Sequence, residues 1–136
     1  MNSNGNQDVM SLVGRILIAS IFVLSGIGKI SAPDATQAYI AAMGLPAPQL
    51  GFLVAVIVEL GGGVLLLVGY RTRIVALVLA AFCVVTALVF HHALGDQNQM
   101  NHFLKNFAIA GGLLQLAAFG PGRFAFGSRV AAKAEA

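Results

Sequence analysis

The chain has 136 residues, 58% of them hydrophobic and only 10% charged, with a mean hydropathy of +0.86. That composition excludes a soluble domain and leaves room for one small integral membrane unit. The formal charge of +3 does not mark a nucleic-acid binder, because the basic residues are scattered around apolar segments and form no patch. The single cysteine, Cys83, excludes a disulfide framework, a C-x-x-C redox pair and a cysteine metal site.

Residues 1–8 read as a short polar tail and residues 9–30 as the first apolar segment, with Arg15 near its start and Lys29 near its end. A signal peptide is the rival reading, but the small-residue context at Ile30-Ser31-Ala32 is poor for cleavage and is followed by Pro33. Ser25, Gly26 and Gly28 precede Lys29. Small side chains there let a neighbouring helix approach closely or leave space for a ligand.

Residues 31–49 form the longest connection. Pro33 suits a first helical position and Asp34 complements the helix dipole, while Ala35, Ala38, Tyr39, Ala42 and Met43 share a face before Gly44. The spacing predicts a short amphipathic helix lying as a lid over the bundle or covering helix ends. Pro46 and Pro48 then turn the chain into a second span, residues 50–70.

Glu59 sits near the middle of that span. A charged side chain at mid-bilayer costs about 3 kcal/mol on insertion scales, so it faces the bundle interior and takes a partner or a proton. The candidate partners are Arg15, Lys29 and Lys105, the basic residues in or at the ends of the other apolar segments. Ala55, Glu59, Gly62, Gly63 and Leu66 share a face at helical spacing, and Gly61-Gly62-Gly63 leaves it bare for a close helix contact or a cavity.

Arg71-Thr72-Arg73 makes a tight basic turn into the third apolar run, residues 74–90, where Ala76, Ala80 and Ala81 read as packing positions and Cys83 and Thr86 are the polar exceptions. His91 and His92 end it. After a polar connection, His102, Lys105 and Asn106 lead into the last apolar segment, which reaches about Phe119. Adjacent histidines do not easily face one centre and no carboxylate has ligand-like spacing, so the histidines are expected to be interfacial or hydrogen-bonding and no metal is assigned. Lys105, Ala108, Gly112, Gln115 and Phe119 share a face that is expected to turn inward. Gly120-Pro121-Gly122 stops the helix, so residues 9–122 form the membrane domain and residues 123–136 a basic tail with Arg123, Arg129 and Lys133.

The expected architecture is therefore an all-α bundle of four transmembrane helices with a short amphipathic helix between spans one and two. Arg15, Arg71, Arg73, Arg123, Arg129 and Lys133 fall on the side of the termini, against Lys29 and Lys105 on the other, which accounts for all eight basic residues. That asymmetry puts both termini in the cytoplasm.

Taken together, Arg15, Phe22, Ser25-Gly26 and Lys29, then Glu59-Leu60-Gly61-Gly62-Gly63, Arg71-Thr72-Arg73 and Phe103-x-Lys105-Asn106 resemble the DoxX family of bacterial inner-membrane proteins. The resemblance covers most of the chain. It implies a four-helix membrane bundle in a setting of terminal oxidases, thiosulfate:quinone oxidoreductases and oxidative-stress complexes, and so a subunit without a covalent cofactor that works with a quinone.

Three classes of function are compatible with these residues: a redox-complex subunit binding a quinone-like amphiphile, a non-catalytic assembly or anchoring protein, and a small-solute or proton transporter. In the first, Glu59 and Lys105 are proton or hydrogen-bond partners, and Ser25, Gly26, Lys29, Gly62, Gly63, His91, His92, Asn106 and Gly112 border the ligand between the spans. Arg15, Arg71 and Arg73 set topology. The expected partners are membrane lipid and either a redox partner protein or further copies of the chain.

Overall fold

The computed structural model describes residues 3–128, and every element in it is helical. Helix α1 spans Ser3–Ser31, α2 Pro33–Ala42, α3 Pro48–Val56 and α4 Gly62–Val68. A π-helical turn, Ile57–Gly61, joins α3 to α4 without a break, so that Pro48–Val68 is one rod. Helices α5, Thr72–Phe90, and α6, Gln97–Phe119, complete the chain. The helix α1 begins before the apolar stretch, and its Asp8 pairs with Arg123. Arg129 and Lys133 of the basic tail lie outside the described residues.

The punctuation is local. Pro33 and Pro48 open α2 and α3 at positions where no backbone N–H is needed. Gly69, at φ +76°, closes α4, with Tyr70 N–H donating back to the Leu65 carbonyl. Asp96 caps α6 by accepting from the Gln99 N–H at 2.9 Å.

Three helical segments, Gly5–Ser31, Pro48–Val68 and Thr72–Phe90, are long and apolar enough to cross a membrane. Helix α6 has 23 residues, but its first half, up to Asn106, is polar. The pattern of burial is that of a protein solvated by lipid. Leu17, Leu24, Leu50, Ile57 and Leu88 are exposed, whereas the buried polar or charged residues are Arg15, Glu59 and Thr72. The core is narrow and built of small and medium side chains: Ala19, Phe22, Leu66, Ala76, Leu79, Ala80, Cys83, Ala110, Leu113 and Leu116. Ala81, expected to pack, is exposed.

The α6 face differs from the expectation. Ala110, Leu113 and Leu116 point inward, while Lys105, Ala108, Gln115 and Phe119 are exposed and Gly112 is half-buried. Beyond Asn106 Gln115 is the one polar side chain, and it sits on the outward face; the bulkier inward stripe of Leu113 and Leu116 fills the core instead.

The bundle has two unlike ends. At one, residues 120–128 fold over the helix termini: Ala125 is fully buried, Gly127 N–H donates to the Gly69 carbonyl, and Ser11 Oγ donates to the Gly120 carbonyl. Arg15 is buried there, and its Nη2 donates to the Phe124 carbonyl at 3.1 Å. The other end, which carries Lys29, is hollow.

Candidate functional site

A cavity of about 830 Å³ opens at the Lys29 end between α1, α2, the α3–α4 rod, α5 and α6. Its deep wall is set by the π turn. Glu59 sits in that turn, only 7% exposed, and with Ala55 it faces the cavity. Gly63 continues the side of the rod that Glu59 turns to α1, packing on Phe22 and Val23, and Gly62 faces Leu79 of α5, so neither glycine lines the cavity.

Glu59 is held by α1. The Lys29 ammonium lies 2.8 Å from Glu59 Oε2, and Ser25 Oγ donates to Oε1 at 3.1 Å. Lys29 Nζ also donates to Ser25 Oγ at 2.9 Å, closing a three-membered network. The approach to Oε2 is off the axis of a hydrogen bond, so charge holds one carboxylate oxygen and the serine hydroxyl the other. Lys29 and Ser25 lie one helical turn apart, which lets the flexible lysine stem bend inward to a carboxylate that helix rise alone places deeper. Of the candidate partners, Lys29 takes Glu59, and Lys105 stands exposed at the mouth of the cavity.

The opposite wall comes from α5 and α6. Thr86 Oγ1 is 3.0 Å from the Cys83 carbonyl and 3.4 Å from Asn106 Oδ1, and Asn106 Nδ2 donates to the His102 carbonyl at 3.0 Å. At the rim the rings of His91 and His102 stack at 4.9 Å between centroids, and His91 Nδ1 is 3.0 Å from Gln99 Oε1. Among the described residues no group of three His, Cys, Asp or Glu is arranged to hold a metal ion. Helix α2 roofs the cavity with Thr36, Tyr39 and Ile40, and Tyr39 stacks on Phe90 at 5.6 Å. The Ala38 and Ala42 positions of the expected lid face are exposed instead.

Of the residues expected around a ligand, Ser25, Lys29, Glu59, His91, Lys105 and Asn106 border one cavity. His92 does not; it is exposed, with Nδ1 3.0 Å from the Val89 carbonyl. The four glycines make helix contacts. A Cβ on Gly26 would meet Leu60 Cβ at 2.9 Å and its backbone N at 3.0 Å, and one on Gly63 would meet Val23 N at 3.0 Å. Gly62 faces Leu79 and Gly112 faces Ile18 Cδ1. Close approach of α1 to the rod at Gly26 and Gly63 thus clamps Ser25 against Glu59, while Gly62 and Gly112 seat side chains of α5 and α1. Tyr39, Cys83, Thr86 and His102 also line the cavity. Thr86 was accessible from the sequence, because it lies one turn beyond Cys83 in an otherwise apolar run.

A family model described as DoxX matches residues 10–92. Over 120 residues the chain is 41% identical to inner membrane protein YqjF of Escherichia coli K12, covering 87% of this chain and 89% of that protein. It is 35% identical over 128 residues to inner membrane protein YphA of the same organism, covering 90% and 91%. No solved structure matches. With the Lys29–Ser25–Glu59 network and Arg71-Thr72-Arg73 turn inside or beside the α1–α5 region that the family model spans, the chain belongs to the DoxX family.

Proposed function

We propose that this protein is an inner-membrane subunit that binds a quinone-like amphiphile in the cavity and serves a membrane redox or oxidative-stress complex. The observation that carries the reading is the cavity bordered jointly by Lys29, Glu59 and Lys105. Its volume lies in the range of small-molecule sites, about 300–1,000 Å³, and its walls are apolar with a few polar groups converging on one end, as such sites are. A quinone ring offers carbonyl acceptors to ammonium and amide donors, and its reduction consumes protons as well as electrons. Glu59, bonded to Ser25 and Lys29, is the group to hold or pass a proton; the electrons come from a redox partner protein.

In this reading α6 is the fourth span and both termini are cytoplasmic, so the cavity faces the periplasmic side. The relatives' description as inner membrane proteins supports the location. Transport is disfavoured by the Arg15 end, where Leu66, Leu79, Leu113 and the folded-over residues 120–128 close the bundle.

The test is a thermal melt of the purified protein in zwitterionic nanodiscs with a neutral alkyl-quinone, paired with mass spectrometry of the gently solubilised protein for co-purifying quinone. Stabilisation that is lost in a Val54→Trp variant, which fills the cavity, is expected. A melt unchanged by the quinone and a preparation free of it, with a stoichiometric partner chain instead, would establish the assembly role.

A further inference from the structure

The charge of the cavity is unbalanced at its mouth. Three ionisable side chains of fixed sign border it: Lys29, Glu59 and Lys105. Glu59 and Lys29 neutralise each other at 2.8 Å. Lys105 has no carboxylate within reach and no hydrogen-bond acceptor among the described residues, where the ion pairs are Lys29–Glu59 and Asp8–Arg123. Two further carboxylates, Asp34 and Asp96, lie on the same side of the bundle but outside the cavity lining, and Asp96 is occupied in capping α6. The donor balance runs the same way. Asn106 Oδ1 is already approached by Thr86, one Asn106 N–H goes to the His102 carbonyl, and the second remains free one residue from Lys105. The mouth therefore presents unspent N–H groups and a whole positive charge, above an apolar lining that includes Phe22 and Phe82.

We infer that the head site of this cavity selects an amphiphile whose ring or head carries an ionised oxygen, seated against Lys105 and the Asn106 amide with the apolar body beneath it. The inference rests on the reading of the cavity as an amphiphile site and names the class of molecule within it: an acidic ligand, such as a hydroxyquinone anion, in preference to its neutral counterpart. The Lys105 ammonium is the specificity determinant because it is the one cation of the lining that an anion does not have to take from Glu59. A charge-assisted contact of this kind is roughly twice as strong as a neutral one.

The experiment uses the full chain in phosphatidylcholine nanodiscs and two matched probes, a 2-hydroxy-3-alkyl-1,4-naphthoquinone, ionised at neutral pH, and its 2-methyl analogue, which is not. Affinities are read by calorimetry for the wild type, Lys105→Gln and Lys105→Arg, and each preference is taken as the ratio of the two probes relative to empty nanodiscs, which removes their different partition into lipid. The expected result is a preference for the ionised probe of about tenfold in the wild type and Lys105→Arg, falling to near unity in Lys105→Gln. Palmitate serves as a third probe, and its displacing the hydroxyquinone in the wild type but not in Lys105→Gln supports the same head site. Equal binding of the two quinones, or a preference that survives Lys105→Gln, overturns the inference while leaving the quinone reading intact. Binding of palmitate alone keeps the head site and removes the quinone. Binding of none of the three removes both.

Discussion

Glu59→Leu and Lys29→Met each strand one charge of a pair that is mostly out of water, and the double variant strands neither. At 2.8 Å two unit charges attract by about 6 kcal/mol at an effective dielectric near 20, before desolvation is subtracted. The side chains are unequally sheltered, 27% exposed for Lys29 and 10% for Glu59. A stranded ammonium can swing toward the cavity mouth, whereas a stranded carboxylate keeps only Ser25. The expected losses are therefore about 2.5 kcal/mol for Glu59→Leu, about 3.5 kcal/mol for Lys29→Met and about 2 kcal/mol for the double variant, a coupling of about 4 kcal/mol. Reversible unfolding in mixed micelles, followed by helical circular dichroism, supplies the four free energies. Glu59→Gln, which keeps an acceptor for Ser25 Oγ, should fall between wild type and Glu59→Leu. A coupling under about 0.5 kcal/mol, or an equal coupling when Lys105→Met replaces Lys29→Met, refutes the assignment of Lys29 as the partner.

Gly26→Ala is expected to destabilise by about 1–3 kcal/mol, because its Cβ would press on the Leu60 backbone, while Gly28→Ala, with open space around it, should be neutral or stabilising by up to about 1 kcal/mol. Matching melts for the two variants would dispose of the close-contact account. Arg15→Leu removes the bond to the Phe124 carbonyl, so trypsin should cut at Arg123 several-fold faster in inverted vesicles; an unchanged rate means the segment is held by other contacts. Reporter fusions after Lys133 and at Gln97 should report cytoplasm and periplasm respectively, and the same side for both would remove α6 as a span.

The fold was legible because it is written in length and hydropathy: the apolar runs, Pro33 and Pro48, Gly69 and Gly120 each act through local chemistry. Glu59 and Lys29 were legible for a related reason, since an ionised group in an apolar run has few ways to be tolerated. Which cation Glu59 takes was not. That choice depends on the π turn and on Gly26 letting α1 come within reach, and both are properties of a packed pair of helices. The same limit applies to α6, whose inward stripe is Ala110, Leu113 and Leu116 while the face that carries Lys105 and Gln115 is exposed. Glycines in the sequence signal clearance, and at Gly26, Gly62, Gly63 and Gly112 a neighbouring helix closes it.

The Arg15 contact also imposes an order on biogenesis. Its acceptor, Phe124, lies 109 residues downstream, which at about 5–20 residues per second puts its synthesis on the order of 10 s after that of α1. During that interval the guanidinium lacks its Phe124 acceptor, and a long basic side chain near the end of an apolar helix then reaches for the polar headgroup layer. The contact forms only after α6 and the residues behind it have been made, so the first helix of the chain is completed by its last described stretch.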